Sequence, residues 1–480
     1  MSDSAPSPQE FAGAFQRLLE WAQVTAVRES ALQVRLKGHF GTDPSTFPAT
    51  SLAIAEYDQP NVQVALDAYL AAPGRTADVV GLSASPHAEV TLSGLVSQSS
   101  RYGLGAEPGP VGRSVIELDD GRSISYVTMA LFLVADGERR LAVLVARHRY
   151  PAQSSVLEVM GSEPEDGQAF LAELRRLMAE HNVYRQKAIS LSATQGPMGS
   201  SIKVTFHPRK PPVRDQIVLP DGLLERVERS TLEFDRHTDA LRARGHHLRR
   251  GLLLHGPPGT GKTLTATYLA DALDHRTVLI LTGPALGLIR ATCTMARDLQ
   301  PSMVVLEDID LVAQERTHMN TNTTALLFEL LNEMDGMGGD ADVIFLMTTN
   351  RADLLEPALA SRPGRVDQAV DFPLPDEDGR ARLLELFSEG LDVALDDAAG
   401  MVVKTEGASP AFLRELVRKA ALFAEVAGEA PVVDGHFTDA LAEMEEGGRL
   451  TRSILGAGTD AGSAPAPASG FPGARPRDDC

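Results

Sequence analysis

The spacing of apolar residues changes along this chain and divides it into regions of different predicted structure. From Glu10 to about Leu36 apolar positions recur at helical spacing, which predicts a helix. Further helices are expected at about 62–70 and 166–181. Residues 88–146 contain apolar runs separated by Asp-Gly turn signals, which predict strands at 115–118, 123–134 and 141–146. With one more strand at about 202–206, residues 10–207 are predicted to form a small α+β domain.

The pattern changes after a proline-rich linker at residues 208–215. Residues 216–450 alternate predicted strands and helices, which indicates a parallel sheet covered by helices on both faces. Residues 451–480 are rich in Gly, Ala, Pro and Ser and are expected to be disordered, as are residues 1–9. The predicted fold class is therefore α/β, preceded by the smaller α+β domain.

Composition narrows the classes of function. The 480-residue chain has 45 Lys and Arg against 65 Asp and Glu, a formal charge of −20 at pH 7, so we expect no general binding of nucleic acid. Two cysteines, Cys293 and Cys480, are too few for a disulfide framework and favour a reducing compartment. The longest apolar stretch, residues 129–135, is too short to span a bilayer, and no signal pattern precedes it. We expect a cytoplasmic protein without membrane insertion.

One glycine-rich segment carries the clearest chemistry. An apolar run at 252–254 precedes it, and a helix is predicted from Leu264 to Leu273, the strand–loop–helix context of a phosphate-binding P-loop. Glycines let successive backbone N–H groups point at phosphate oxygens, Lys262 can reach the β- and γ-phosphates, and the Thr263 hydroxyl can bind Mg²⁺. The predicted binding residues for a nucleoside triphosphate are Gly256, Pro257, Pro258, Gly259, Thr260, Gly261, Lys262, Thr263 and Leu264.

Two later strands end in polar residues that suit the same chemistry. The run at 303–306 ends in Glu307-Asp308, and such an acidic pair suits a Walker B site, where one carboxylate holds Mg²⁺ through water and the next polarises the attacking water. A capped surface turn is the alternative, and the position after the P-loop disfavours it. The run at 343–347 ends in Thr348-Thr349-Asn350. The Asn350 amide can orient a water near the γ-phosphate, although a plain strand-ending turn would give the same sequence.

Arg362 and Arg365 flank a Pro-Gly pair after this strand. Two arginines at this spacing suit donors offered to a neighbouring subunit's γ-phosphate. A surface pair of salt-bridging arginines is the alternative.

These motifs, in this order, resemble the ATPase module of the AAA family over about residues 216–450. The resemblance implies that the nucleotide is ATP, that 216–375 is the large α/β subdomain and that 376–450 is a helical lid. It also implies roles for the site residues: Thr263 and Glu307 as metal ligands, Asp308 as the water-polarising group, Asn350 as the sensor, and Arg362 and Arg365 as arginine fingers acting in trans. Residues 215–219 and 406–409 are expected beside the adenine.

Three departures from the family pattern affect the interpretation. The acidic pair reads Glu307-Asp308 where most relatives have Asp-Glu, and the shorter Asp308 could slow hydrolysis. Position 368 is Gln where many relatives have Arg. The segment from about 284 to 301 is short and lacks the aromatic pore loop of peptide-threading relatives. The Glu307-Asp308 order, the short pore segment and the segment from Arg362 to Asp367 are together similar to the mitochondrial AAA translocase of the Rieske protein, although the membrane anchor of that protein is not expected here.

The resemblance leaves two classes of function open. The first is an ATP-hydrolysing remodeller of a protein client, working as a homo-hexameric ring, with residues 10–207 selecting the client. The alternative is a nucleotide-gated assembly or scaffold protein with little turnover, which the Glu307-Asp308 order and the absent pore aromatic favour. Asn350 and the two arginines favour the first class.

Overall fold

The computed structural model describes residues 13–17, 29–84, 89–97, 106–148, 154–196, 199–211, 213–310, 324–338, 341–353, 366–428 and 431–446. The expected disordered ends, residues 1–9 and 451–480, lie outside these ranges. Among the described helices, none combines the length and the apolar character that crossing a lipid bilayer requires.

The N-terminal region is built on a seven-stranded antiparallel sheet with the strand order β1-β7-β6-β5-β2-β3, and β4 pairs with the first half of the long β5. Its strands are β1 (Ala49–Ile54), β2 (Arg75–Ser83), β3 (Glu107–Gly109), β4 (Gly112–Glu117), β5 (Ser123–Asp136), β6 (Arg139–His148) and β7 (Ser154–Gly161). Its helices are α1 (Ala31–Phe40), α2 (Gln59–Leu70), α3 (Leu92–Val96) and α4 (Pro164–Glu180). The α+β prediction for this region is confirmed by these elements.

Helices cover both faces of this sheet because successive residues of a strand point to opposite sides. In β5, Phe132 and Val134 pack towards α2 and α4, where Tyr69 and Phe170 meet edge to face with ring centroids 4.8 Å apart. The intervening Leu131 and Leu133 pack towards α1 and α3.

The prediction of one continuous helix from Glu10 to Leu36 is wrong at Ser30, although residues 31–36 are helical. Ser30 has an extended backbone and its hydroxyl accepts a hydrogen bond from the Gln33 N–H at 3.1 Å, while the Gln33 side chain accepts from the Ser30 N–H. This reciprocal capping box starts a separate helix, α1, at Ala31. Most of the earlier part of the predicted helix lies outside the described residues.

The second sheet also has seven strands, in the order β14-β10-β13-β12-β11-β8-β9. All neighbours in it are parallel except β8 and β9. Its strands are β8 (Ala188–Gly196), β9 (Gly199–His207), β10 (Arg250–His255), β11 (Thr277–Thr282), β12 (Ser302–Glu307), β13 (Val343–Thr349) and β14 (Gln368–Asp371). The helices between them are α5 (Leu223–Glu228), α6 (Phe234–Arg236), α7 (Thr238–Ala243), α8 (Lys262–Ala272), α9 (Ile289–Asp298) and α10 (Thr324–Gly336).

Buried apolar residues alternate between the two faces of this sheet. Val304 and Leu306 of β12 pack with α9 and α10, whereas Met303 and Val305 pack on the side of α8. The predicted α/β architecture with helices on both faces is therefore confirmed. The helices after the second sheet share a core of their own. They are α11 (Glu377–Ser388), α12 (Ala398–Lys404), α13 (Pro410–Ala427) and α14 (Asp434–Glu446). Two short strands in the same region, β15 (Val393–Ala394) and β16 (Val432–Val433), pair with each other.

The predicted domain boundary at residue 207 needs correction. Residues 188–207 fall within the predicted N-terminal domain, where one strand is expected at about 202–206. They form two strands, β8 and β9, and β8 pairs in parallel with β11 and extends the second sheet. The N-terminal region is packed directly on the second sheet, because Ile116 and Leu118 at the end of β4 contact the core of that sheet. Lys187 beside β8 also forms an ion pair with Asp119, with Nζ 2.8 Å from Oδ1.

The predicted linker is anchored to the helix that follows the P-loop. The Arg209 guanidinium donates to the carbonyls of Ala270 in α8 and of Arg276 just beyond it. The Lys210 N–H donates to the Asp271 carboxylate at 3.4 Å. Segment 208–211 therefore holds the C-terminal end of α8.

A buried ion network lies beneath the same end of α8. The Arg276 side chain is fully buried, with Nε 2.5 Å from an Asp235 oxygen and Nη2 2.6 Å from an Asp342 oxygen. It also donates to the carbonyls of Ser302 and Asp342. This single guanidinium ties α6 to the starts of β12 and β13.

Candidate nucleotide-binding site

The P-loop follows β10 and turns directly into α8. Gly256, Gly259 and Gly261 have φ angles of 139°, 77° and 97°, which glycine adopts far more readily than other residues. A Cβ at Gly256 would lie 2.4 Å from the carbonyl oxygen of Phe372, and one at Gly259 would lie 2.9 Å from the Ala411 Cβ. Both positions therefore require glycine for backbone conformation and for space.

Lys262 begins α8 and is almost completely buried, with 5% of its surface exposed. Its Nζ donates to the carbonyls of Gly256 at 2.8 Å and Pro257 at 2.7 Å. Burial lowers the pKa of this ammonium to about 8, although the carboxylates of Asp308, Asp310 and Asp371 act in the opposite direction. The only side-chain cation in the loop is thus held at the base of the site by the loop's own carbonyl groups.

Glu307 ends β12, and its carboxylate accepts a hydrogen bond from the Thr263 hydroxyl. Burial raises the pKa of Glu307, the neighbouring Asp308 raises it further, and the Thr263 hydrogen bond acts against both. A hydroxyl and a carboxylate in contact are oxygen ligands of the kind that Mg²⁺ prefers, so these two residues fit the predicted metal site. No cluster of three or more His, Cys, Asp or Glu that could hold a metal occurs among the described residues. Phosphate oxygens and water would therefore have to complete the coordination of Mg²⁺.

Asp308 has a left-handed backbone conformation, with φ of 49°. Its N–H donates to the Thr348 hydroxyl at 3.0 Å, and its carboxylate accepts from Nδ2 of Asn350 at 3.3 Å. Asp is among the residues that adopt this conformation most readily, and such conformations cluster at functional sites. The ends of β12 and β13 therefore bring the acidic pair and Asn350 together.

Asp310 supports this arrangement and was not assigned a role from the sequence. The side chain is 3% exposed, and one oxygen accepts from the Thr349 hydroxyl at 2.8 Å and from the Asn350 N–H at 3.1 Å. Asp310 thus fixes the backbone of the residue whose amide contacts Asp308. Its position two residues after the acidic pair is the only signal in the sequence, and that spacing alone does not specify the contact.

These groups line a cavity of about 450 Å³ between the second sheet and the helices that follow it. The P-loop contributes residues 258–264, Asp308 and Asn350 lie on one side, and residues 216–219 form another wall. The cavity is closed by α11 and α13, and the Ala411 N–H donates to the Gly259 carbonyl at 3.2 Å. The predicted strip beside the adenine, residues 215–219, thus largely coincides with a wall of this cavity.

Arg414 and Phe387 are two wall residues that sequence reasoning missed. The Arg414 guanidinium lies over the Phe387 ring, 5.1 Å from its centroid, and both residues line the cavity. Arg414 lies in the second turn of α13, on a helix whose sequence shows only the amphipathic pattern of a packed helix. Its proximity to the P-loop depends on the packing of α13 against Gly259.

The structure therefore brings most of the predicted site residues together. Gly256 and Pro257 form the start of the loop and bond to Lys262, and Glu307 contacts Thr263. Arg362 and Arg365, the predicted arginine fingers, lie outside the described residues. Their role stays a prediction.

Comparison with known proteins gives a consistent result for this part of the chain. A sequence profile of the "ATPase family associated with various cellular activities (AAA)" matches residues 252–374. The chain is 34% identical over 217 residues to "26S proteasome regulatory subunit 10B homolog A" of Arabidopsis thaliana, covering 42% of this chain and 54% of that protein. It is also 34% identical over 208 residues to the "Proteasome-activating nucleotidase" of Methanothermobacter thermautotrophicus, covering 41% and 50%.

The chain spans about half the length of the curated relatives it matches. The matched residues contain the P-loop, Asp308 and Asn350, which the fold brings to one cavity, and Glu307, which contacts Thr263 of the P-loop. Residues 252–374 are thus similar in sequence to the AAA family of ATPases, and this part of the chain is similar to a proteasome regulatory subunit and to a proteasome-activating nucleotidase.

Proposed function

We propose that this protein hydrolyses ATP and uses the energy to remodel a protein client. The observation that carries the proposal is the convergence of three groups at one cavity: Lys262, the Thr263–Glu307 pair and the Asp308–Asn350 pair. A site that only bound nucleotide would need Lys262. The Thr263–Glu307 pair supplies the oxygen ligands for the metal, and the Asp308–Asn350 pair supplies the positioned carboxylate that turnover requires.

Each residue has a distinct task in this proposal. The Lys262 ammonium would donate to the β- and γ-phosphate oxygens, and Thr263 and Glu307 would hold Mg²⁺, which would offset the negative charge of the phosphates. Asp308 polarises the attacking water through its carboxylate. Asn350 is a positioning residue, because its amide donates to that carboxylate while Asp310 holds the Asn350 backbone.

The test is the variant Asp308→Asn. It keeps the size of the side chain but removes the charge, so we expect ATP binding to persist and turnover to be lost. The release of phosphate from ATP and the binding of a labelled nucleotide are measured on the same preparation. Asp239→Asn, at a carboxylate whose side chain is 97% exposed, is the matched control and should have wild-type turnover. Normal hydrolysis by Asp308→Asn would contradict the role given to this carboxylate.

A protein client is supported by the nature of the relatives and by the additional N-terminal region. The relatives quoted above are named as a proteasome regulatory subunit and a proteasome-activating nucleotidase, which function with a protein machine. The region before residue 188 has two helix-covered faces and packs on the end of the second sheet that is farthest in strand order from β10. We therefore propose that this region selects the client.

We further propose that the protein works as a ring, in homo-hexameric form, in which Arg362 and Arg365 complete the site of the neighbouring subunit. An arginine finger contributes about 10³–10⁵ to the rate where it has been measured. Arg362→Ala and Lys262→Ala should each be inactive alone, and mixing them should restore activity, because a mixed ring joins an intact nucleotide site to an intact finger. Turnover that is independent of protein concentration, with an active Arg362→Ala variant, would contradict the ring.

A nucleotide-gated scaffold with little turnover is the second candidate. It is favoured by the short Asp308 side chain, which Asn350 already engages at 3.3 Å, so the carboxylate has less reach towards a water. The wild-type rate separates the two candidates: turnover many times slower than about 1 s⁻¹, with tight ATP binding, would favour the scaffold. The narrower likeness to the Rieske-protein translocase and the cytoplasmic location stay predictions.

A further inference from the structure

A second cavity, of about 680 Å³, lies where the N-terminal region meets the second sheet. We call it the junction groove. Its walls are residues 115–118 at the end of β4, residues 202–206 of β9, and the rings of Tyr57, Tyr126 and Tyr184. None of these residues lines the nucleotide cavity.

The lining pattern indicates that the groove runs beside two strand edges. Successive residues of a strand point to opposite faces, so a cavity on one face would contact every second residue. Here consecutive residues of β4 and of β9 all contribute. The groove is therefore bordered by the backbones themselves.

Among the described residues, each of these strands is paired on one edge only. In the part of the chain that the structure describes, β4 pairs only with β5, and β9 pairs only with β8. No other backbone hydrogen bond in this part involves residues 115–117 or 202–206. An edge of this kind is a template for one more strand.

Side chains along the groove suit an apolar segment with a basic flank. Val115 is 62% exposed, an unusual state for a valine in a sheet, and Ile202 is only partly buried. The Tyr184 ring stacks on Phe206 with centroids 5.7 Å apart, and this buried pair lies beneath the groove. Glu117, exposed at the end of β4, is the carboxylate that a basic flank would meet, and Lys203 lies on the β9 side of the groove.

We propose that the junction groove binds an extended polypeptide segment of the client, which adds a strand to β4 or β9. The segment has apolar side chains at alternate positions, directed towards Val115 and Ile202, and a basic residue beside Glu117. Five residues of strand span about 17 Å, which matches the five consecutive β9 residues in the lining. This inference rests on the proposed function and names the form in which the client is recognised.

The test is a selection from a random library of displayed peptides of about twelve residues, long enough to extend over about 40 Å. The full-length protein is the target, without nucleotide, and the Val115→Glu variant removes peptides that bind elsewhere. We expect enriched sequences with alternating apolar residues and a basic flank. A resynthesised, fluorescent peptide should bind Val115→Glu about tenfold more weakly than wild type by anisotropy. Val403→Glu, at a lid valine with the same 62% exposure, is the matched control and should bind normally.

Strand addition also requires the backbone N–H groups of the peptide to donate hydrogen bonds, which side-chain contacts alone do not require. The same peptide with alternate backbone amides N-methylated loses its donors and should bind at least about tenfold more weakly. Equal binding of the N-methylated peptide would overturn strand addition, and a library that enriches equally on Val115→Glu would overturn the groove. A photoreactive residue at position 115 that cross-links to another segment of this chain, or to a second copy, would also overturn the client assignment.

The outcomes are independent of ATP turnover. Val115 lies outside the nucleotide cavity, so Val115→Glu should hydrolyse ATP at the wild-type rate. A protein that hydrolyses ATP but selects no groove-dependent peptide contradicts this inference alone. A protein that binds the peptide in the groove but does not hydrolyse ATP contradicts the proposed function alone.

Discussion

Nucleotide affinity should fall steeply above about pH 8, because the Lys262 ammonium must be protonated to bond phosphate. Burial lowers the pKa of this group to about 8 in the protein alone. Phosphate oxygens placed beside Nζ favour the charged form and therefore raise the pKa in the complex. Below pH 8 Lys262 already carries its proton, so affinity should be nearly flat. Above pH 8 binding must take up a proton.

The size of the effect follows from this linkage. Between the lower pKa of the free protein and the higher pKa of the complex, each pH unit should weaken binding about tenfold, or about 1.4 kcal/mol. Affinity near pH 9 should thus be about one tenth of that near pH 7. Cys293 and Tyr268 do not contribute to this pH dependence. Burial raises the pKa of the Cys293 thiol to about 12, and burial together with the hydrogen bond to Glu228 raises the pKa of the Tyr268 hydroxyl to about 12.

The assay is calorimetric titration of the full-length protein with a slowly hydrolysed ATP analogue, at constant ionic strength and with Mg²⁺, from about pH 7 to about pH 9.5. In this range the terminal phosphate is fully ionised, since its last pKa lies near 6. Repeating the titration in buffers of different ionisation enthalpy measures the proton uptake directly. Lys262→Met is the control and should bind weakly with no slope. A flat wild-type profile, or the same slope in Lys262→Met, would refute the reasoning.

Three other changes test separate parts of the structure. Glu307→Gln should weaken nucleotide binding and its dependence on Mg²⁺ together in a metal titration, and tight ATP binding without hydrolysis would instead reverse the assigned roles of the acidic pair. Gly259→Ala places a Cβ 2.9 Å from that of Ala411 at a φ of 77° and should cost about 2–4 kcal/mol in nucleotide binding, whereas Gly245→Ala has the same φ in open space and should bind normally. Arg276→Leu removes the buried partner of Asp235 and Asp342, which keep only the half-exposed His275 and Arg242, and should lower the free energy of unfolding in urea by about 3 kcal/mol; a loss below 1 kcal/mol would contradict the network.

The nucleotide site was largely predictable because its sequence is constrained by backbone geometry. Gly256 and Gly259 occupy positions that a Cβ cannot enter, so the motif is local and visible in the sequence. Glu307 is the last residue of the otherwise buried β12, Asn350 follows the buried β13, and parallel strands bring their carboxyl ends to one edge of the sheet. The sequence therefore predicted which residues meet without any information on distances.

Other parts depended on long-range packing that leaves little trace in the sequence. Strands β8 and β9 precede the linker and form an antiparallel pair, so nothing local distinguishes them from the N-terminal strands. Only the pairing of Ala188–Ser190 with β11 assigns them to the second sheet. Arg414 is a similar case, because its place in the nucleotide cavity is set by how α13 packs on Gly259.

The hydrogen bonds of Arg209 to the C-terminal end of α8 connect the nucleotide site to β9. At its first residue α8 carries Lys262, and near its last residues it is held by the segment that leads back to β9. An 11-residue helix is about 16 Å long, so a tilt of about 10° around the P-loop would displace its far end by about 3 Å. Arg209 follows β9 and is hydrogen-bonded to the end of α8, so this displacement would be passed to β9, which forms a wall of the junction groove. The nucleotide site and the junction groove are therefore linked by one helix and the hydrogen bonds of Arg209.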